Sequence, residues 1–335
     1  MSDDDRLVIH PQWQAWAARN LARGATPEEV VAELMGEGVP EVDARALCET
    51  LLASPGLAEA RTLWRRVVAL EQIARLRLDH RREQPLTVER RTLPSVEEFV
   101  ARYWVPGVPV VLTDLVPHWP AFERWSPQYF AEHFGDARVY ACIGRTRVEL
   151  PDADWAQTER HLTMRELVEI LATTSTPNDV YLIAKNAALA QPDLRPLLDD
   201  IALPSAFFRS PLDPMRMALW LGGAGTHTPL HHDGDNSMFC QIRGRKRIRL
   251  APPESVALLD RARGVYNHWD PSDPVVDAPE IMRELVVQPG EALFLPAGWW
   301  HQVDALDPSI SVTTLDFAFT NDYGWYRPGT ALRNA

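Results

Sequence analysis

TPLHHDGDNSMFCQIRGRKRIRL, residues 228–250, ends in a run whose alternation decides the architecture. Successive side chains of a strand point to opposite faces. In RKRIRL, Arg245, Arg247 and Arg249 therefore share one face, and Lys246, Ile248 and Leu250 share the other. Three arginines do not line a core, so the lysine face must. A buried ammonium needs an anion. Lysine is a compact point charge, suited to one carboxylate in a narrow space. The choice of lysine is informative here, because Lys185 and Lys246 are the only two lysines among 34 basic residues.

Earlier in the same stretch, His231 and Asp233 fall on one face of an extended chain, with His232 turned away. An H-x-D pair on a strand can give two ligands to one metal, although the pattern also arises by chance. A third ligand is offered by His301 in PAGWWHQV, 68 residues after Asp233. Two imidazoles and a carboxylate make the facial triad of non-heme Fe(II) oxygenases, which leaves positions open for co-substrate and oxygen. Thr228, three residues before His231, can add a hydroxyl to the carboxylate held by Lys246. A dicarboxylic co-substrate follows, chelating the metal at one end and anchored by Lys246 at the other, and 2-oxoglutarate fits.

The surrounding chain reads as a mixed α+β protein. Residues 8–84 carry helical spacing. Thr26, Pro27 and Glu29 form a capping box, and Leu63, Val67, Leu70, Ile73, Leu76 and Leu78 approximate one apolar stripe. The expected divisions are a helical region, 1–84, packing on a catalytic region, 85–335. Within the latter, Thr163 and Glu166 cap another helix, and DVYLIAK is a strand. From about 215 to 320 short strands divided by Pro and Gly dominate, which implies a sandwich or barrel rather than βαβ units.

Composition narrows the partners. The net charge of −12 argues against nucleic acid and tolerates a basic peptide or protein substrate. The three scattered cysteines fit a reducing cytoplasm, and no apolar run is long enough to span a membrane. The acidic N-terminus lacks the apolar segment of a signal peptide.

These elements together resemble the JmjC, or cupin-like, Fe(II)- and 2-oxoglutarate-dependent oxygenases, and among them the protein hydroxylases of the factor-inhibiting-HIF type. The T-x-x-H-x-D element, the G-x-K turn and the P-x-G-W-W-H element occur in family order, and the likeness covers roughly residues 90–320. It implies a double-stranded β-helix (jelly-roll) core, preceded here by the helical bundle. It also implies that His231, Asp233 and His301 bind Fe(II), and that Thr228 and Lys246 bind the C5 carboxylate of 2-oxoglutarate. Tyr181 matches a tyrosine that helps hold the co-substrate. Asn236 resembles the family's pocket asparagine, one place before Ser237, where many relatives carry it. Asp316 stands where asparagine is common near the metal. Trp299 and Trp300 are expected to be packing, and His227 and His232 to face outward or line the entrance.

The activity implied is O2-dependent hydroxylation of an amino-acid side chain in a peptide or protein, coupled to conversion of 2-oxoglutarate to succinate. The same chemistry on N-methyl-lysine or on a free small molecule is the alternative, and a non-catalytic cupin the alternative of another class. A homodimer is compatible with the resemblance, but the 16 residues after Phe319 are too few for one built on a C-terminal helical extension.

Overall fold

A computed structural model of the chain describes residues 9–84, 87–272 and 282–321. The acidic N-terminus and the segment after 321, on which the leader and C-terminal-extension expectations bear, lie outside the described residues. The chain divides into two compact units, residues 1–79 and 80–335.

In the first unit, α1 (Pro11–Arg23), α2 (Pro27–Gly36) and α3 (Glu41–Leu52) are followed by the long α4 (Pro55–Arg82). The Thr26 hydroxyl accepts from Glu29 N while the Glu29 carboxylate accepts from Thr26 N, the expected reciprocal cap on α2. Leu21, Val30, Leu34, Ala44 and Cys48 form a small core with Leu57 at the start of α4. The stripe on α4 departs from expectation. Leu63, Val67, Leu70, Ile73 and Leu76 are 42–65% exposed and Leu78 alone of the stripe is buried, because the cluster built by α1–α3 ends at Leu57, six residues before the stripe begins.

Among its described residues the second unit carries fifteen strands. They are β1 (Glu89–Arg91), β2 (Val110–Leu112), β3 (Arg138–Ile143), β4 (Glu159–Thr163), β5 (Val180–Leu182), β6 (Met217–Gly222), β7 (His227–His232) and β8 (Ser237–Arg243). Then follow β9 (Lys246–Ala251), β10 (Ala262–Arg263), β11 (Tyr266–Asn267), β12 (Arg283–Val287), β13 (Ala292–Leu295), β14 (Trp300–Ala305) and β15 (Ser309–Thr314). One sheet runs β1-β2-β13-β8-β15-β6-β5-β3-β4, the other β10-β11-β7-β14-β9-β12. From β6 to β9 the chain switches sheets at every strand, and from β12 to β15 it does so again. That winding is the double-stranded β-helix, a jelly roll.

Burial follows layer position. β8 lies between β13 and β15, and its first six residues are buried on both faces. That is why SMFCQI reads as a continuous apolar run with one buried glutamine. Strand β9 alternates as expected: Lys246, Ile248 and Leu250 are at most 1% exposed, whereas Arg247 and Arg249 are only half-buried. On the outer face Arg249 bridges Glu284 and Asp304, so it is ion-paired at 13% exposure rather than free in water. Between the sheets, Ile248, Leu250, Leu285, Leu293, Trp299 and Val303 pack together, and a cavity of about 300 Å3 opens beside them.

Candidate active site

Residues Thr228 and His231 both line that cavity although three positions separate them on one strand. Regular extended chain would send them to opposite faces. The pairing of β7 with β14 resolves this: His231 opposes His301 and Thr228 opposes Val303, so β7 uses three steps where β14 uses two. The extra residue is a β-bulge at Pro229–Leu230, where proline has no N–H to lose from the ladder. The bulge also frees the Pro229 carbonyl, which lies 2.8 Å from His231 Nδ1. His301 Nδ1 sits 3.0 Å from the Trp299 carbonyl in the same way. Each ring satisfies its carbonyl by donating Nδ1–H, which leaves Nε2 as a lone-pair donor.

One donor atom from each of His231, Asp233 and His301 lies within 4.8 Å of the others. Both histidines are buried, and Asp233, whose side chain is 47% exposed, approaches His301 Nε2 at 3.8 Å. Burial, and secondarily the neighbouring His231, lower the His301 pKa to about 3, so its ring is neutral and able to ligate at physiological pH. The turn before β14 is fastened to the end of β7 by Gly298 N donating to the Asp233 carbonyl and Ala297 N donating to Asn236 Oδ1.

That bond corrects the expectation for Asn236. It lies off the cavity wall, its side chain caps the Ala297 amide, and its backbone pairs reciprocally with Asn321. Its neighbour Ser237 lines the cavity instead. Asp316 is likewise absent from the wall. It is fully buried, accepts from Asp213 N, and lies 3.7 Å from Arg216 and 3.9 Å from Arg209. A carboxylate serves there because two guanidiniums face it.

At the far end of the cavity the Lys246 ammonium is 1% exposed and donates to the Tyr181 hydroxyl at 3.0 Å. Aromatic rings of Phe239, Tyr181 and Trp220 stand 5.3–5.9 Å from Nζ. Among the described residues no carboxylate pairs with it. Burial alone pushes its pKa down to about 7. Thr228 lines the same wall as Tyr181 and Lys246, so three polar groups converge where an anion's end would sit.

His232 faces the other way, as expected, but into packing rather than solvent: it is 5% exposed and meets the Trp300 ring edge-on at 4.5 Å. His227 is half-buried and bonded to Asp304 at 2.7 Å. Trp299 and Trp300 are buried off the cavity, Trp299 donating to the Gly107 carbonyl.

Two wall residues have no motif in the sequence. Tyr266, on β11, pairs with His231 and stacks on its ring at 5.4 Å. Burial raises its phenol pKa strongly, with the Asp152 and Asp233 carboxylates adding to the shift. Asp152, 2% exposed, bonds through Oδ2 to Arg145 Nη2 at 2.7 Å. Only a two-residue strand and a long loop carry them, so periodicity gives no signal.

The model of the cupin-like domain family matches residues 96–315, where both halves of this site lie. The chain belongs to the cupin-like family, of JmjC type. Within that family, lysine-specific demethylase JMJ30 of Arabidopsis thaliana is 32% identical over 238 residues, covering 68% of this chain and 54% of that protein. Lysine-specific demethylase 8 of Xenopus tropicalis is 31% identical over 234 residues, covering 66% and 50%. The bifunctional peptidase and (3S)-lysyl hydroxylase JMJD7 of Homo sapiens is 25% identical over 289 residues, covering 75% and 91%. This cupin-like chain thus spans about half the length of the first two relatives.

Proposed function

We propose that the chain is an Fe(II)- and 2-oxoglutarate-dependent oxygenase that hydroxylates an amino-acid side chain in a peptide or protein. The single observation that carries this is Lys246: a buried ammonium without an anion, facing the same cavity as two imidazole Nε2 atoms and a carboxylate. The donor set fits Fe(II), since two nitrogens and one carboxylate oxygen leave positions free for other ligands. His231, Asp233 and His301 would hold the metal, and Lys246, Thr228 and Tyr181 the C5 carboxylate of 2-oxoglutarate. When bound, iron, co-substrate and O2 supply the oxidising chemistry, with succinate and CO2 as co-products.

The chain contributes position and dryness. The carbonyls of Pro229 and Trp299 fix both rings, and Phe239, Ile248, Leu293 and Leu295 keep the wall apolar. No side chain of the wall is needed as a proton shuttle. A storage or scaffolding cupin has no use for an uncompensated lysine opposite its metal ligands, which disfavours a non-catalytic reading.

The test is anaerobic assembly of the Fe(II)-loaded protein with 2-oxoglutarate and candidate peptides, followed by oxygen and mass spectrometry. A retained gain of one oxygen, stoichiometric with succinate, supports hydroxylation. Release of formaldehyde from an N-methylated peptide would assign demethylation instead. Absence of succinate under all conditions would refute the oxygenase reading.

A further inference from the structure

Arg283 opens β12 on the inward face of that strand. Leu285 and Val287 share the face, and all three are buried, Arg283 at 5% exposure. Its partner across the ladder, Leu250, belongs to the apolar cluster that also holds Leu285 and Trp299. A guanidinium thus enters packing built for hydrocarbon. Among the described residues it has no hydrogen-bond or ion-pair partner. What it meets is the Trp299 ring, whose centroid lies 5.5 Å from Cζ.

A second cation stands on the same indole. Arg81, in the last turn of α4, lies 5.4 Å from the Trp299 centroid. Its Nε and Nη2 grip the Glu254 carboxylate at 2.8 and 3.2 Å, with both side chains at most 15% exposed. Glu254 is therefore already used, and among the described residues the Nη1 corner of Arg81 has no partner. Burial, and secondarily the Arg81 charge, bring Arg283 below the ordinary arginine pKa, so the two guanidiniums are near enough to repel. Neither arginine lines the metal cavity, and Trp299 lies off it too.

A guanidinium does not escape burial by losing its proton. An aromatic face returns only part of the hydration it gives up, and a second cation on the same ring adds repulsion. What the described chain lacks here is an acceptor. An oxyanion presents paired oxygens to a guanidinium edge, and a doubly charged one answers two cations where Glu254 answers one.

We propose that Arg283 and Arg81 form an anion site against Trp299 that takes a phosphate-class oxyanion, free or as a small monoester. The site is separate from the 2-oxoglutarate cavity and does not depend on the hydroxylase reading. It adjoins the residue whose carbonyl lies 3.0 Å from His301 Nδ1, so the anion braces the turn that carries that ring.

The test is calorimetric titration of the full chain at pH 7.5 with inorganic phosphate, and separately with glycerol phosphate, at an ionic strength held constant with chloride. Melting temperatures are read in the same solutions. Wild type is expected to bind one equivalent and to melt about 5 °C higher at a hundredfold excess over Kd. Arg283→Met, whose unbranched stem still covers Trp299, should lose at least about tenfold in affinity and most of the thermal shift. Arg283→Gln should show the same loss, and it carries the test if the methionine variant fails to fold. Lys246 is the other buried cation an anion could reach, so Lys246→Met is the control and should bind as wild type does. Binding of inorganic phosphate assigns a free anion, and binding of glycerol phosphate alone assigns an ester. A wild type that responds to neither beyond chloride overturns the proposal. So does an Arg283 variant that binds like wild type, or a loss of binding in Lys246→Met that the Arg283 variants do not share.

Discussion

Co-substrate binding should carry the protonation of Lys246 with it. Burial lowers this ammonium from 10.5 to about 7 in the ligand-free fold, because no anion compensates it. Below pH 7 the group is charged and ready for a carboxylate. Above pH 7 it is neutral, and binding the C5 carboxylate must also draw a proton from solvent. Affinity for 2-oxoglutarate should therefore be flat below about pH 7 and weaken by up to about tenfold per pH unit above it. Proton uptake should be about 0.1 per ligand at pH 6 and about 0.9 at pH 8.

The assay is anaerobic calorimetry of the Fe(II)-loaded protein in buffers of different ionisation enthalpy. 2-Oxobutyrate serves as control, since it keeps the 2-oxo acid end but lacks the C5 carboxylate. Effects of pH on the metal ligands enter both titrations equally, so the difference isolates Lys246. The sign for stability is opposite to that of a paired lysine. The unfolded chain binds more protons between pH 7 and 10.5, so ligand-free stability rises with pH across that window. The full penalty, about 5 kcal/mol at most from the shift in pKa, applies below pH 7. Lys246→Met should accordingly raise the melting temperature of the ligand-free protein at pH 6.5 while abolishing discrimination between the two ligands. Identical pH slopes for 2-oxoglutarate and 2-oxobutyrate would refute the reasoning, as would a less stable Lys246→Met.

Other perturbations separate the two ends of the site. His231→Ala and Asp233→Ala should each lose tight Fe(II) binding, read by equilibrium dialysis, and with it peptide-independent conversion of 2-oxoglutarate to succinate. Asn236→Ala removes the acceptor of the Ala297 amide, so stability should fall by about 1–3 kcal/mol in urea unfolding. Metal affinity should weaken with it, because His301 follows that turn. Gly298 has φ +80°, and an added Cβ would stand 3.1 Å from Pro253 Cβ. Gly298→Ala should thus cost about 1–3 kcal/mol and loosen the metal, as the same dialysis would show.

Some of this was written in the sequence, for physical reasons that differ from residue to residue. The face of β9 that points inward could be read from alternation, because three arginines and a lysine cannot share a core. The cluster of His231, Asp233 and His301 was legible because H-x-D and a distant histidine have few other uses together. The β-bulge at Pro229–Leu230 was not legible. Thr228 reaches the cavity only through it, and three-residue spacing on a regular strand would have placed that hydroxyl on the outer face. The placement of Asn236 was not legible for a related reason: in a turn one residue of offset puts Ser237 on the cavity wall and Asn236 on the Ala297 amide, and no periodicity governs a turn. The α4 stripe shows the opposite failure. Its spacing is helical, and the helix exists, but apolar periodicity states what a face is fit to bury and not whether anything covers it.

Asp152 and Tyr266 lie beyond motif reading altogether, since their proximity to His231 is a property of the closed fold. They make the cavity asymmetric: at one end an ammonium with no anion among the described residues, and on the neighbouring wall a carboxylate already paired with Arg145 at 2.7 Å. The unpaired ammonium is costly to the empty protein and is answered by an anion. A dicarboxylate answers Lys246, while Asp152 is already answered by Arg145, so the electrostatic demand of the empty cavity is concentrated at the Lys246 end.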